Sequence, residues 1–233
     1  MGIAYNPRII TDGLVLALDA GNTKSYPGSG TTWTDLSGNG NNFTLSGPDY
    51  VSTNPSHFSF LNNQVDQIYN SSFSFGGSTA IMTASCWVRL DNVNVDHSII
   101  SYAETGQSAN QYLMYYAGTS SPKQFNLWFD NTSLSIQNAL ETTVWYNIVN
   151  VVSSTGNILY INAQQIGSQT KTGTQLEGSG YMVFGQDQDS VGGGFQTSQD
   201  LIGDIAQVSI YNRVLTASEI QQNFNATRSR FGI

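Results

Sequence analysis

The sequence has few charged residues, two histidines and one cysteine. Its 233 residues include 8 Lys plus Arg and 16 Asp plus Glu, a formal net charge of −8. Most faces of such a protein would repel a nucleic-acid backbone, so we exclude nucleic acid as a partner. Two distant histidines and one cysteine also make a zinc site improbable. No apolar run approaches the ~18 residues of a transmembrane helix, so we do not expect membrane insertion.

The single cysteine, Cys86, excludes an internal disulfide. It is compatible with synthesis in a reducing compartment, and we interpret it as a small buried hydrophobe. Residues 1–13 lack the basic start and the uninterrupted apolar run of a signal peptide. The sequence therefore predicts a protein made in the host cytoplasm and placed on a virion surface, with a bacterial cell surface as the alternative.

Glycine, asparagine, serine and threonine dominate the rest of the chain, with 23 glycines in all. This composition suits short strands joined by tight turns, and all-β sandwiches of 200 to 250 residues commonly form one unit. Short apolar or alternating runs predict strands at residues 14–18, 58–61, 84–90, 98–102 and 111–116. The clearest hairpin pairs residues 145–152 with 158–162 through a turn at 153–157.

One helix is predicted, at residues 216–227. Thr216 and Glu219 form a capping-box pattern, in which each side chain bonds the backbone N–H of the other residue. Ile220 and Phe224 are four residues apart, so both face the sandwich. We predict a single domain over residues 12–233 that includes this helix.

Residues 1–11 form an N-terminal arm outside the strand pattern. The arm is rich in apolar side chains and carries one charged side chain, Arg8, so an exposed arm would need something to pack against. Two interpretations remain open. Either the arm lies along a neighbouring subunit or shell protein, or it covers an edge of its own sandwich.

Residues 184–195 place two carboxylates and two amides beside a glycine run. Calcium prefers such oxygen ligands, and glycine lets the backbone curl close to an ion. Asp187 and Asp189 are two apart, so on an extended segment both side chains would point the same way and repel each other without a cation. The alternative is a solvated hairpin loop, since the same residue types are common in turns.

Residues 185–215 resemble the calcium loop and final strand of the pentraxins. The matching residues are Gln186, Asp187, Gln188, Asp189 and Ser190, then Ser198 and Gln199, then Gly203, Asp204 and Ile205, then Val214 and Leu215. Residues 98–103 and 110–113 are similar to the pentraxin strand and loop that supply further metal ligands.

The pentraxin resemblance implies calcium ligands at Asp187, at the main-chain carbonyl of Gln188 and at Asp189, with Asn110 and Gln199 contributing. Two acidic pentraxin positions fall on Ala109 and Gln196 in this chain. Fewer charged ligands bind calcium more weakly. We therefore expect one calcium ion rather than the pentraxin pair.

The N-terminal half resembles the laminin-G-like and concanavalin A-like jelly rolls, through residues 12–22 and 33–42. These motifs, with the closing segment 210–220, are also similar to structural proteins of tailed bacteriophages and to bacterial surface proteins. The resemblance implies an all-β fold, a concanavalin A-like antiparallel β-sandwich jelly roll with one short C-terminal helix. It defines function less closely than fold, because function depends on individual sites.

The sequence does not favour an enzyme. Retaining glycosidases need two carboxylates close together, yet none of the four glutamates has an acidic residue two or four positions away. The Glu-x-Asp-x-x-Glu motif of glucanases with this fold is absent. His57 and His97 lie outside any nucleophile-elbow pattern.

Three function classes remain. The first is a non-enzymatic virion surface protein of a tailed phage, a capsid decoration or tail accessory, whose calcium-stabilised lectin-like fold binds other virion proteins, copies of itself or a host surface glycan. The second is a calcium-dependent carbohydrate-binding module of a bacterial surface or secreted protein, and the third is a glycan hydrolase. Trp33, Trp128, Tyr115 and Tyr116 are candidates for stacking on sugars, although burial is the usual place of aromatics in a sandwich.

Overall fold

The computed structural model describes residues 8–61, 66–75, 81–107, 110–129, 132–170, 176 and 178–233. Most elements are short strands, as the composition predicts. In chain order they are β1 (Leu14–Asp19), β2 (Thr32–Trp33), β3 (Phe43–Ser46), β4 (Asp49–Val51), β5 (His57–Phe60), β6 (Gln67–Ser74), β7 (Met82–Leu90), β8 (Asp96–Glu104), β9 (Tyr112–Ala117), β10 (Gln124–Phe129), β11 (Thr132–Gln137), β12 (Trp145–Val152), β13 (Gly156–Ile161), β14 (Gln164–Thr170), β15 (Ser179–Phe184), β16 (Gly203–Tyr211), helix α1 (Ala217–Thr227) and a 3-10 turn (Arg228–Phe231).

The strands form two antiparallel sheets. The first has the order β14-β13-β12-β7-β16-β5-β4, and β1 also pairs with β16. The second has the order β11-β10-β9-β8-β15-β6-β3-β2. Strands adjacent in the sheets are often distant in sequence, as in a jelly roll, and the predicted all-β sandwich with one short C-terminal helix is confirmed.

The core lies between the sheets and is rich in aromatic side chains. On β9, Tyr112, Met114 and Tyr116 are buried and belong to the core. Leu113 and Tyr115 alternate with them and therefore face the opposite side of the second sheet. There they form a small buried cluster with Ala117. This outer face becomes important below.

The predicted hairpin is present as β12 and β13, with β13 beginning at Gly156 rather than at residue 158. Ser153 closes the turn because its hydroxyl accepts bonds from the N–H groups of Thr155 and Gly156, at 3.2 and 2.9 Å. Cys86 on β7 is fully buried and free, as expected.

Helix α1 begins after the predicted cap. The Thr216 side chain accepts from the Glu219 N–H, and the Glu219 carboxylate accepts from the Thr216 N–H at 2.8 Å. Ile220 and Phe224 are the buried residues of the helix. They hold α1 against the outer side of the first sheet, where Phe224 stacks on Trp87 of β7.

The described part of the N-terminal arm lies along its own domain. Asn223 of α1 accepts a bond from the Ile10 N–H at 2.8 Å, and the Tyr211 hydroxyl donates to the Ile10 carbonyl at 3.0 Å. The Arg8 carbonyl accepts from Gln222 at 2.8 Å. Residues 8–10 thus cover the first sheet, while the N-terminal part of the predicted arm, residues 1–7, lies outside the described residues.

The motif at residues 33–42 has a structural role. Asp35 is buried, and its carboxylate accepts from the N–H groups of Ala17, Ser37 and Asn41 at 2.9, 2.8 and 3.1 Å. These bonds tie the loop to β1. None of the helices in the described part of the chain is long and apolar enough to cross a membrane.

Candidate functional site: a loop and pocket on the second sheet

The predicted calcium loop connects β15 to β16 and is closed at its base. The Leu201 N–H donates to the Gly185 carbonyl at 2.9 Å, so the two ends of the loop meet. Gly194 has a φ of +74°, and a Cβ there would lie 2.8 Å from the Cβ of Asp189. Glycine is therefore required for the chain to fold back over this aspartate.

Asp187 is buried, and Asn110, just before β9, donates its side-chain N–H to it. Burial raises the pKa of the Asp187 carboxyl, the bond from Asn110 lowers it, and the negative charge of Asp189 raises it again. The structure therefore joins two predicted ligands that are 77 positions apart in sequence. The net rise in pKa means that this carboxylate would gain from a neighbouring cation.

Asp189 is exposed, unlike Asp187. The segment is a loop rather than a strand, so the alternation expected for extended residues does not apply. The two carboxylates still interact electrostatically. Gln196 donates its side-chain N–H to Asp189 at 2.5 Å. Gln196 stands where pentraxins have an acidic residue, so in this chain an amide and not a carboxylate contacts Asp189.

The Gln188 side chain has a structural role. It is fully buried, donates to the Ser101 hydroxyl and the Tyr181 carbonyl at 2.8 and 3.1 Å, and accepts from the Gly192 N–H at 2.9 Å. Its amide is thus fully used in fixing the loop to β8 and β15. Only the main-chain carbonyl of Gln188 is left for the metal-binding role that the resemblance implies.

The remaining predicted ligands offer unused oxygens. Among the described residues, neither Oδ1 of Asn110 nor Oε1 of Gln199 has a hydrogen-bond partner, although both atoms are buried. Buried acceptors without a donor are costly, and a hard cation satisfies oxygen acceptors directly. With Asp187 and Asp189 these oxygens fit calcium. No group of three or more His, Cys, Asp or Glu suited to a metal occurs in the described ranges, so amide oxygens would have to complete such a site.

A cavity of about 430 Å³ opens beside these residues on the outer face of the second sheet. It is lined by Asn110, Leu113, Tyr115, Asn126, Trp128, Asp187 and Gln199. Trp128 on β10 is 44% exposed and lies opposite Leu113 in the strand register. The Tyr115 hydroxyl is held by Asp96 at 2.6 Å.

The structure separates the aromatic candidates. Trp33 and Tyr116 are fully buried in the core and cannot stack on a ligand. Both Tyr115 and Trp128 line the cavity, but Tyr115 is 9% exposed whereas Trp128 is 44% exposed. Leu113 and Asn126 also line the cavity and were missed by the sequence analysis. The alternation of β9 and β10 could have indicated them, since both share the face of Tyr115 and Trp128.

A family model described as the Concanavalin A-like lectin/glucanases superfamily matches residues 62–221. The rat protein "Sushi, von Willebrand factor type A, EGF and pentraxin domain-containing protein 1" is 27% identical over 148 residues, which is 60% of this chain and 4% of the relative. The human neuronal pentraxin receptor is 27% identical over 157 residues, which is 64% of this chain and 30% of the relative. The chain therefore spans a minor part of each.

Solved structures show the same fold. A heptameric SAP-like pentraxin from Limulus polyphemus has a TM-score of 0.60 and 20% identity, covering 70% of this chain and 78% of that one. A mutant sialidase of Trypanosoma rangeli has a TM-score of 0.70 and 17% identity, covering 97% of this chain and 34% of that one. The binding domain of Paraclostridial Mosquitocidal Protein 1 has a TM-score of 0.66 and 19% identity, covering 93% of this chain and 52% of that one.

Proposed function

The chain belongs to the Concanavalin A-like lectin/glucanases superfamily, and from this premise we propose that it is a calcium-dependent carbohydrate-binding module whose binding site is the cavity beside the loop at residues 185–200. The observation that carries the proposal is the exposed Trp128 beside unpartnered amide oxygens and a buried carboxylate. An apolar platform beside a few fixed polar groups is the usual composition of a small-ligand site.

Each side of the cavity contributes a different interaction. Trp128 presents its ring to solvent, so a sugar ring can stack on it. Asn126 is fixed by the Ser135 hydroxyl, which donates to its Oδ1 at 2.7 Å, and this leaves the Asn126 amide N–H groups for sugar hydroxyls. Leu113 closes the apolar side. This arrangement favours a ligand with one apolar face and one hydroxyl-rich edge.

Asp187, Asp189, Asn110, Gln199 and the Gln188 carbonyl would hold the calcium ion. When bound, calcium supplies positive charge and open coordination positions for ligand oxygens. Without positive charge, Asp187 and Asp189 would repel any anionic group of a ligand. We propose a single ion here, because Gln196 takes the place of a further carboxylate.

We also propose that the module is not an enzyme. The cavity contains one carboxylate, Asp187, while Glu104 and Glu141 lie outside its lining. Most glycoside hydrolases use two carboxylates that flank the scissile bond. Incubation with β-glucans, alginate or agar should release no reducing ends above a heat-killed control, and release that is lost on mutating Glu104 or Glu141 would contradict this proposal.

A glycan microarray followed by calorimetry tests the binding proposal. The wild type should bind at least one glycan class in calcium and lose that binding in EDTA. Trp128→Ala should weaken binding by roughly 3- to 10-fold, the order expected for loss of one stacking contact. Ile166→Ala, which removes an exposed apolar side chain from the first sheet, is the matched control and should bind as the wild type does. Binding that survives both EDTA and Trp128→Ala would overturn the proposal, as would absence of binding to every glycan on the array.

A second proposal concerns location. Residues 12–22, 33–42 and 210–220 are similar to segments of tailed-phage structural proteins, and on this similarity we propose that the module works on a virion surface, with other virion proteins, copies of itself or a host glycan as partners. The alternative is a bacterial cell surface. Immunogold labelling of purified particles and of intact cells distinguishes the two locations, and absence from particles would contradict the virion proposal.

A further inference from the structure

Three buried polar side chains meet on the inner side of the same loop. Asp66 comes directly before β6, Gln186 follows β15 by two residues, and Asp200 comes shortly before β16. They are 4%, 1% and 3% exposed, respectively. The backbone bond between Leu201 and Gly185 joins the loop ends and brings Gln186 beside Asp200. We call these three residues the inner acidic cluster.

The cluster has more acceptors than donors. Within the described part of the chain, both carboxylate oxygens of Asp200 and Oε1 of Gln186 are buried without a well-formed hydrogen bond, and the Gln186 amide is the one hydrogen-bonding group that acts on the pKa of Asp200. The Gln186 N–H already donates to the Asp66 carbonyl at 3.0 Å. A buried carboxylate that lacks a donor is strongly destabilising unless another positive group compensates it.

Asp66 is held in place as a second acid of the cluster. Its Oδ2 accepts from the Leu61 N–H at 3.0 Å. A Cβ at Gly47 would lie 2.2 Å from its Oδ1, so the glycine backbone packs directly against this carboxylate. The side chain cannot swing away on that side, and its charge acts on Asp200.

We propose that Asp66, Gln186 and Asp200 form a second cation site, separate from the cavity site, that takes calcium as a structural ion. The donor set consists of two carboxylates and an amide oxygen, with no nitrogen or sulfur, which is the chemistry of a hard cation. Two negative charges match one divalent ion. This site does not rest on the proposed carbohydrate binding.

Protonation is the competing way to relieve the cluster. Burial raises the pKa of Asp200 to about 6, with Gln186 lowering it and Asp66 raising it. A protonated pair of carboxyls would take up no calcium, so a calcium titration distinguishes protonation from a bound cation. The cluster is closed to solvent, which also argues against a glycosidase acid pair, since a glycan could not reach it.

The position of the cluster gives the ion a structural role. Asp66 and Gln186 adjoin strands of the second sheet, whereas Asp200 leads into β16 of the first sheet. Gln186 and Asp200 are also chain neighbours of Asp187 and Gln199. An ion bound here would therefore join the two sheets and brace the loop that carries the ligands of the cavity site.

Calcium stoichiometry and thermal unfolding of single variants test the proposal. Isothermal titration with calcium is performed on the wild type, Asp200→Asn, Asp66→Asn, Asp187→Asn and a control, Asp49→Asn, which removes an exposed carboxylate that acts on Asp66. The wild type and Asp49→Asn should bind two ions. Asp187→Asn should keep the inner ion, and Asp200→Asn should keep only the cavity ion. If Asp66→Asn fails to fold, Asp200→Asn still decides.

The stability readout has a distinctive sign. In EDTA at pH 7, Asp200→Asn should raise the unfolding temperature above that of the wild type, because it removes an uncompensated buried charge. In saturating calcium, the rise in unfolding temperature should be smaller for this variant than for the wild type. An Asp200→Asn protein with wild-type stoichiometry and calcium response would overturn the inner site. If the wild type binds one ion and Asp187→Asn binds none, the inner site is rejected and the cavity site is supported. If the wild type binds one ion and only Asp200→Asn loses it, the inner site is supported and the cavity site is rejected.

Discussion

The helix side of the first sheet and the loop side of the second sheet contain similar polar residues. The two sides differ in whether these polar groups have hydrogen-bond partners within the protein. Beside α1, Arg213 donates two bonds to Glu219, at 3.0 and 2.7 Å. Trp87 likewise donates to Thr227 at 3.0 Å. On the loop side, Asn110, Gln199 and Asp200 keep buried oxygens without partners in the described structure.

On our proposal, this difference separates polar groups that stabilise the fold from polar groups that bind a ligand. Polar groups that satisfy one another lower the free energy of the folded chain whatever is in solution. Groups left unsatisfied are costly until a cation or ligand binds, and such costs concentrate at functional sites. Substitutions on the helix side should therefore act independently of calcium, whereas those on the loop side should depend on it.

The largest effect is expected from Trp87→Ala. Trp87 is 2% exposed, and its ring stacks on Phe231 with centroids 3.8 Å apart. The substitution leaves a large cavity under α1 and should cost about 3–5 kcal/mol of unfolding free energy, equally in calcium and in EDTA. Urea denaturation measures it. Trp87→Phe, which keeps a ring in place, should cost much less, and a calcium-dependent loss would contradict the comparison.

Asp189→Ala should have an effect that appears only with calcium. Asp189 is exposed, so its removal should leave the stability in EDTA nearly unchanged. At a calcium concentration 100 times the dissociation constant, binding at one site adds about 2.7 kcal/mol to the free energy of unfolding. The variant should lack this stabilisation. Calorimetric unfolding at several calcium concentrations measures the loss. If the wild type unfolds at the same temperature with and without chelator, no calcium site exists on the loop.

Glu219→Gln should destabilise the helix side by about 1 kcal/mol at neutral pH, through loss of the charged pair with Arg213, because the Gln amide oxygen can still accept the capping bond from the Thr216 N–H. Hydrogen bonds from Arg213 and then from Thr216 lower the pKa of Glu219 to about 2 from its ordinary value of 4.5. A lowered folded pKa stabilises the folded state above pH 4.5, and this contribution is lost as the pH falls towards 2. Denaturation curves of the two proteins should therefore converge in acid. A constant difference down to pH 2 would contradict the assignment.

The smallest effect on stability is expected from Trp128→Ala. An exposed side chain contributes little to the core, so the unfolding free energy should change by less than about 0.5 kcal/mol. Glycan affinity should nevertheless fall, as proposed above. Thermal unfolding and calorimetric binding on one preparation compare the two quantities. A large stability loss would show that Trp128 belongs to the fold rather than to a binding surface.

The fold was predictable because its signals are local. Thr216 and Glu219 are three residues apart, so the capping box was readable and the start of α1 is confirmed. Ser153 and the glycine after it likewise predicted the turn between β12 and β13, with a small difference in where β13 begins. Periodicity and turn chemistry depend on neighbours in the chain, which a sequence displays directly.

The ligands of the candidate site that lie far from the loop in sequence were predictable only through resemblance. Asn110 and Asp187 are 77 positions apart, and nothing in their local contexts indicates that they bond. The opposite environments of Asp187 and Asp189 were not expected, because the rule of alternation applies to strands and this segment is a loop. That the arm lies along a neighbouring subunit or shell protein stays a prediction for residues 1–7, while residues 8–10 pack on their own domain.

The sequence by itself determined the class of fold, the single helix with its cap, the buried free Cys86 and the oxygen-rich chemistry of the loop, since each follows from residue types and short spacings. Only the tertiary structure decided that Trp128 is exposed while Trp33 is buried. It also decided that the Gln188 side-chain amide donates to Ser101 and that Asp66 lies close enough to act on Asp200. The physical reason is that burial and hydrogen-bond partners are set by which strands become neighbours. In this sandwich those neighbours are mostly distant in the chain.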